Sequence, residues 1–533
     1  MAAALESLLP VEERAPSLGL RGWLYAQRTA IVAVLTLLAL LVPLASAFHR
    51  GGFPMDEGMV LLYPELLLKG WLPYRDFETF YGPLNLWVLA GAYSVGGAHI
   101  FVERAVGLGY QVLILLGLFL LARRGGLIVA MATALLAAMI LQFLLLTALA
   151  WNGGVACAIW ALVALAEPRP WRAFVGGLLA AAAVLYRQDL GPAVLLSTAP
   201  LVWRLSPKLR WRCAVGFVVG LVPLAVLTVV AGPRAAFENL VLYPVFISNP
   251  GRRLPYASAP PWLQQLAMLH LLACGVNLLA AFVAWRRNSR SAWLPIFLAS
   301  ALLALGLTHQ GMQRMDYIHV TSTVFASIAL LPWSLMILFR PSEGRSPRAI
   351  HGLACAALGV VVLAVVCFDV VRAFCASTAG VFTGEAVPSE IVRLDRREFA
   401  LSSKRIAHNS DSVLELLKRE SVSGERLFVG GGDLRRAYAT DTFLYHLVPW
   451  LTPATYFLEI NPFSANRPGS RLAADVASAD WVVLDRLWEK WDEPNGSTWL
   501  GSDAPNAVVR EQFALRGQFG TMEVYRRTGA RSR

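Results

Sequence analysis

From residue 29 to about residue 372 the chain alternates long apolar stretches with short polar breaks. Beyond that, apolar runs are no more than a few residues long, as in a water-soluble domain. A helix needs roughly 20 apolar residues to cross a hydrocarbon layer about 30 Å thick. Windows near that length fall at 29–48, 100–122, 125–147, 152–167, 171–187, 189–204, 213–232, 263–285, 291–308, 317–339 and 350–372. They predict a polytopic α-helical membrane domain of about eleven spans over 29–373, after a polar N-terminal segment 1–28. The segment 49–99 is too long and too polar for a turn. It holds two shorter apolar runs, Val60–Leu68 and Leu84–Val95, with aromatic or charged flanks. These read as interfacial helices on the outer membrane face; the alternative for Leu84–Val95 is the start of a true span.

Residues 374–533 read as a soluble α/β unit. Ser412–Arg419 has helical apolar spacing, Arg426–Val429 and Trp481–Leu484 read as short buried strands, and Leu472–Ser478 as a helix. Gly430-Gly431-Gly432 follows a strand but lacks both the G-x-G-x-x-G spacing and a following Lys-Ser/Thr, so it reads as a turn. The stretch Phe443–Trp450, with Tyr456 and Phe457, is unusually aromatic; it is core, or it rests on the membrane domain.

Composition agrees with a chain that faces lipid: 56% of residues are hydrophobic, 15% are charged, and mean hydropathy is +0.54. The net charge of +12 comes from short Lys/Arg runs between apolar windows, not from one solvated basic face, so no nucleic-acid partner is implied. With the N-terminus inside, the inner segments carry 17 Lys and Arg and the longer outer segments 7. That bias places the N-terminus in the cytoplasm and, with an odd number of spans, the C-terminal domain outside. The first window reads as a signal anchor in the cytoplasmic (inner) membrane. Five of the six cysteines lie in apolar windows without C-x-x-C spacing, so neither a disulfide framework nor a zinc site follows.

Three clusters at the outer ends of the spans carry candidate chemistry. The first outer loop holds Asp56-Glu57, then Arg75, Asp76, Glu78 and Tyr81. A carboxylate at that level can act as base on a hydroxyl, and the competing reading is a solvated acidic loop. Arg187-Gln188-Asp189 sits between two apolar windows with almost no loop to hold it. A charge there needs a partner or a task, or else the pair simply closes a turn. The string from His309 to His319 contains Arg314, Asp316 and His319. An arginine fork suits phosphate, and Asp316 and His319 share a helix face if a helix begins there. The ligand set is too small for a metal, and no cofactor is indicated.

Asp56-Glu57-Gly58, Gly70-Trp71-Leu72-Pro73-Tyr74-Arg75-Asp76-Phe77 and Tyr81-Gly82-Pro83 together resemble the first outer loop of the GT-C superfamily. Those are integral-membrane glycosyltransferases that use polyprenyl-phosphate sugars, including the protein mannosyltransferase and lipid A aminoarabinose transferase groups. Arg314-Met315-Asp316-Tyr317-Ile318-His319 is also similar to an outer-loop pattern of bacterial members. The resemblance implies a catalytic base at Asp56, two juxtamembrane helices after it and inversion at the transferred sugar. It also implies a polyprenyl-phosphate sugar donor and a glycan, lipid or protein hydroxyl as acceptor. The chain lacks a second outer Asp-x-Asp of the metal-dependent oligosaccharyltransferase kind, so no metal is expected. In this reading Arg187 and Arg314 meet the phosphate, while Glu57, Arg75, Asp76, Glu78, Tyr81, Asp189, Asp316 and His319 line the substrate site. The outer domain then positions the acceptor or braces the membrane domain. The alternative function is a transporter or flippase of a lipid-linked or sugar substrate, which would place its polar groups near the bilayer midplane.

Overall fold

The computed structural model describes residues 27–339, 348–384, 389–490 and 492–529; nearly all of the expected cytoplasmic segment 1–28, and the inner loop at 340–347, lie outside them. The helices follow the apolar windows. In chain order they are α1 (Arg28–Ala45), α2 (Asp56–Leu68), α3 (Leu84–Gly96), α4 (Ile100–Ala122), α5 (Leu127–Leu141), α6 (Ala150–Leu165), α7 (Pro170–Tyr186) and α8 (Gly191–Trp203). There follow α9 (Pro207–Ala231), α10 (Pro261–Arg287), α11 (Leu294–Gln313), α12 (Tyr317–Ala329), α13 (Leu331–Leu338), α14 (Arg348–Val366) and α15 (Phe368–Thr383). Among the described residues, eight helical segments are long and apolar enough to cross a membrane. Helices α6, α7 and α8 fill three more windows with 16, 17 and 13 residues.

Two windows are broken. The one at 317–339 divides at Leu330, two residues before Pro332, whose missing N–H cannot continue the ladder. The one at 350–372 divides at Cys367, and α15 continues to Thr383, past the expected domain boundary. Small residues set how closely spans approach. A Cβ on Gly177 of α7 would lie 1.9 Å from the Cys213 carbonyl oxygen of α9, and one on Gly216 of α9 would lie 2.1 Å from that of Phe174. The two backbones therefore touch through reciprocal glycines. The six cysteines are all free, and Cys375 is the exposed one.

The C-terminal domain is a mixed α/β unit. It opens with the antiparallel pair β1 (Glu390–Leu394) and β2 (Arg397–Leu401), followed by α16 (Lys404–Glu420). A five-stranded sheet follows, ordered β4-β3-β5-β7-β6, with β3 (Arg426–Gly431), β4 (Thr452–Pro453), β5 (Trp481–Asp485), β6 (Phe513–Phe519) and β7 (Met522–Arg527). β3 runs parallel to β4 and β5, and β7 is antiparallel to β5 and β6. Every residue of β5 is buried, as a central strand covered on both faces requires. Three short helices, α17 (Phe443–Leu447), α18 (Leu472–Ala477) and α19 (Ala504–Gln512), pack around the sheet.

The aromatic stretch at 443–450 is both core and seam. One hydrophobic cluster joins Leu61, Tyr63, Leu66 and Phe77 of the first long loop to Phe399, Phe443, Leu444 and Leu447 of the C-terminal domain. So α2 does not lie bare on a membrane face; it is roofed by the domain. Glu65 of α2 accepts from Arg397 at 2.7 Å and lies 2.6 Å from Nδ1 of His446, sealing the seam with a buried charge cluster. The Gly58 position leaves no room for a side chain, since its Cβ would sit 2.4 Å from the Phe443 nitrogen.

Candidate functional site

Asp56 opens α2, and its first turn carries both acids of the Asp-Glu pair, where the helix dipole favours them. The loop's five carboxylates differ in what they hold. Glu57 is buried against Arg104, accepting from Nε and Nη2 at 2.8 Å each. Glu65 is bound to Arg397 and His446. Asp76 lies on the exposed rim, paired with Arg75 at 2.9 Å and accepting from the Leu72 N–H at 2.7 Å. Glu78 is buried, accepting from Ser464 Oγ at 2.8 Å and Asn461 Nδ2 at 3.3 Å. Among the described residues Asp56 makes no hydrogen bond and no ion pair, and it is partly open. Burial, and then the nearby Glu459 carboxylate, push its pKa up to about 6 against the opposing pull of Arg252. Burial likewise pushes Glu78 up to about 8.

Asp316 and His319 of one arginine cluster lie within electrostatic reach of Asp56, and Tyr81 lies within reach of both Asp56 and Arg187 of the other. Arg187 follows α7 and gives a bidentate pair to Asp189, Nε at 3.0 Å and Nη2 at 2.6 Å, while Gln310 accepts weakly at 3.4 Å. Its guanidinium lies 5.1 Å from the ring centres of both Tyr81 and Trp151, and among the described residues only its Nε and Nη2 make hydrogen bonds. His309 approaches Asp189 at 3.9 Å, and its neighbours hold the Asp189 carboxyl far below the usual range. Each nitrogen of Arg314 has an acceptor: Nε gives to Asp316 at 2.6 Å, Nη1 to the Arg252 carbonyl at 2.8 Å and Nη2 to Glu493 at 2.6 Å. Asp316 caps α12, accepting the His319 N–H at 2.9 Å and facing His319 Nδ1 at 2.8 Å. The i,i+3 geometry expected of Asp316 and His319 is therefore a helix cap.

Asp56, Tyr81, Arg187, Asp316 and His319 thus share one electrostatic neighbourhood, and Glu78 is buried close to the same Glu459 and Arg252. Glu57 is turned away into Arg104, and Arg75 and Asp76 stand at the rim. Two residues of this neighbourhood were not singled out from the sequence, Arg252 and Glu459. They pair at 3.3 Å across the seam between the segment after α9 and the C-terminal domain, and Arg252 also reaches the Ile460 carbonyl at 3.3 Å. The buried Nε of Arg252 has no hydrogen-bond partner. The only sequence signal near Glu459 was the aromatic pair Tyr456-Phe457 just before it. Among the described residues no group of three or more His, Cys, Asp and Glu could hold a metal.

The helical membrane domain, the two shorter helices after its first span and the C-terminal α/β domain together make a fold that solved structures share. Over 94% of this chain and 98% of that one, the structure resembles crystal structures of ArnT from Cupriavidus metallidurans. The form bound to undecaprenyl phosphate gives a TM-score of 0.53 at 14% identity, and the apo form 0.53 at 15%. At that identity the likeness is one of fold. No family model matches the sequence, and no curated protein does.

Proposed function

We propose that the protein transfers a hexosyl or pentosyl group from a polyprenyl-phosphate donor to a hydroxyl acceptor at the outer face of the cytoplasmic membrane. The observation that carries this reading is Asp56: the one carboxylate of its loop left unpaired and partly open, raised to about 6, beside arginines with unused donors. A general base works best when its pKa lies close to the operating pH. The GT-C-like fold, and the undecaprenyl phosphate bound to the ArnT of similar fold, support a lipid phosphate as the leaving group.

In this mechanism the acceptor hydroxyl gives its proton to Asp56 as its oxygen attacks the anomeric carbon. The bond from that carbon to the phosphate oxygen breaks on the opposite face, which inverts the configuration. The electron pair leaves with the polyprenyl phosphate, which gains negative charge. Arg187 and Arg252 take up that charge, because Arg187 bonds only through Nε and Nη2 and the buried Nε of Arg252 is unpartnered among the described residues, whereas each nitrogen of Arg314 already has an acceptor. Arg314 and Asp316 then hold the segment around Arg252 in place. Glu78 and Glu459 line the acceptor side, and the aromatic faces of Tyr81 and Trp151 keep Arg187 extended.

The test is turnover of purified full-length protein with a panel of radiolabelled polyprenyl-phosphate sugars and candidate acceptors. Transfer that is lost on Asp56→Asn supports the reading. Flux of a lipid-linked sugar across liposomes, without transfer and dependent on Arg187, would replace it with the transporter reading.

A further inference from the structure

The segment from Phe48 to Glu57 joins the end of the first span to α2 and presents Asp56. It contains Gly51 and Gly52 and has little regular structure of its own, so something else must fix it. One side chain binds both of its ends. Arg104, in the first turns of α4, donates Nη1 to the Phe48 carbonyl at 2.6 Å, and Nε and Nη2 to the two carboxylate oxygens of Glu57 at 2.8 Å each. Both side chains are 1% exposed. The guanidinium thus uses all three nitrogens to close the segment into a loop whose last link is the residue next to Asp56.

The opposite side of the segment is held by the C-terminal domain. The Gly52 N–H donates to the Ala400 carbonyl at 2.9 Å, and the Phe443 N–H donates to the Pro54 carbonyl at 3.2 Å. Both glycines are needed for this approach. A Cβ on Gly51 would fall 2.3 Å from the Ser402 nitrogen, and one on Gly52 would fall 1.6 Å from Glu57 Oε2. The segment is therefore gripped between Arg104 below and the edge of β2 with the start of α17 above.

We propose that Arg104, acting through Glu57, is a positioning residue that sets the direction of the Asp56 carboxylate. This deepens the reading of Asp56 as base and rests on it. A buried bidentate pair has one geometry, and Lys in place of Arg keeps the charge but not the fork. Because Glu57 and Asp56 are adjacent, a shift of the pair by one ångström moves the carboxylate by a similar amount. A misplacement of that size costs on the order of a hundredfold in rate. The role does not require Arg104 to touch substrate, so donor affinity should be insensitive to it.

The test uses full-length protein carrying Arg104→Lys, Arg104→Gln, Glu57→Gln or Gly52→Ala. The last keeps both charges and pushes the carboxylate off the guanidinium, which guards against a folding failure of the charge variants. Three readouts separate the causes: turnover, affinity for undecaprenyl phosphate as a probe, and the rate at which a methanethiosulfonate modifies an Asp56→Cys thiol in a Cys375→Ser background. Each variant should lower turnover by about tenfold to a hundredfold and change the modification rate, with probe affinity held within about threefold. Arg104→Gln combined with Glu57→Gln should be no worse than either alone. Unchanged turnover and modification rates in folded variants would overturn the proposal, as would a loss of probe affinity in step with turnover. If Asp56→Asn turns over normally, the base reading falls, while the thiol rates still decide whether Arg104 orients that position.

Discussion

Replacing Asp56 by asparagine removes a charge that the fold holds at a disadvantage. The carboxyl is raised from 3.8 to about 6, chiefly by burial and then by Glu459. Each tenfold change in an ionisation constant corresponds to about 1.4 kcal/mol, so the full shift would be worth about 3 kcal/mol. Because Asp56 is partly open to solvent, about 1–2 kcal/mol is the fairer figure. The sign follows from which state binds the proton more tightly. Below 3.8 the group is neutral folded or unfolded and there is no penalty. As pH rises the unfolded chain ionises first, so stability is lost between about 4 and 6 and stays lost above. Asparagine carries no such penalty. Asp56→Asn should therefore match the parent in thermal unfolding near pH 4 and exceed it by about 1–2 kcal/mol near pH 8. Turnover should move the opposite way, falling by about two to four orders of magnitude, the usual range for a general base. The parent's rate should drop about tenfold per pH unit below 6 and level off above it, because only the ionised carboxylate accepts a proton. Binding of undecaprenyl phosphate should survive the change. An Asn variant with full turnover, or one no more stable than the parent near pH 8, would refute the reasoning.

Arg187→Lys should weaken undecaprenyl phosphate binding by about tenfold with little change in melting temperature, because the charge persists while the fork and the stacking on Tyr81 and Trp151 are lost. Arg314→Lys should do the reverse, lowering melting temperature and sparing affinity, since it breaks the contacts to Asp316, Glu493 and the Arg252 carbonyl. Glu65→Gln should destabilise the fold by about 3 kcal/mol in thermal unfolding, because it strands the half-buried Arg397 and the buried His446. Deleting the C-terminal domain after Thr383 should abolish undecaprenyl phosphate binding as well as turnover, since the cut exposes the shared core of α2 and removes the partners of Gly52, Glu65 and Glu78.

The long apolar helices and the two shorter ones after the first were legible because their signal is local. Lipid asks each crossing segment to be apolar throughout, and window length states that directly. The central strands β3 and β5 were legible for a similar reason, as short apolar runs between turn residues. The hairpin of β6 and β7 was not. Most of β6 is exposed or half-buried, and a bulge between Leu515 and Gly517 shifts its pairing, so no alternation marks it. The candidate site was only partly marked in the sequence. Asp56, Arg187 and Arg314 announce themselves as charges beside apolar windows. Arg252 and Glu459 stand among ordinary loop residues, and they gain meaning only where their segments meet across about two hundred positions of chain.

What sequence could not rank is which of several similar charges stays available. The first long loop offers five carboxylates in the same chemical class, and composition treats them alike. The fold distinguishes them through partners supplied from far along the chain: Arg104 for Glu57, Arg397 and His446 for Glu65, Ser464 and Asn461 for Glu78. A buried carboxylate without a partner is expensive, so pairing is the default and the exception needs a cause. Asp56 is that exception in a loop otherwise well served, and its neighbour Glu459 raises its energy further. Nothing in packing requires this, because the Asp56 side chain makes no cap hydrogen bond at the start of α2 and a neutral side chain there would leave the helix intact. The arrangement becomes intelligible if the carboxylate is kept free to receive a proton. On that argument the pairs around it serve to hold every other charge still while one moves.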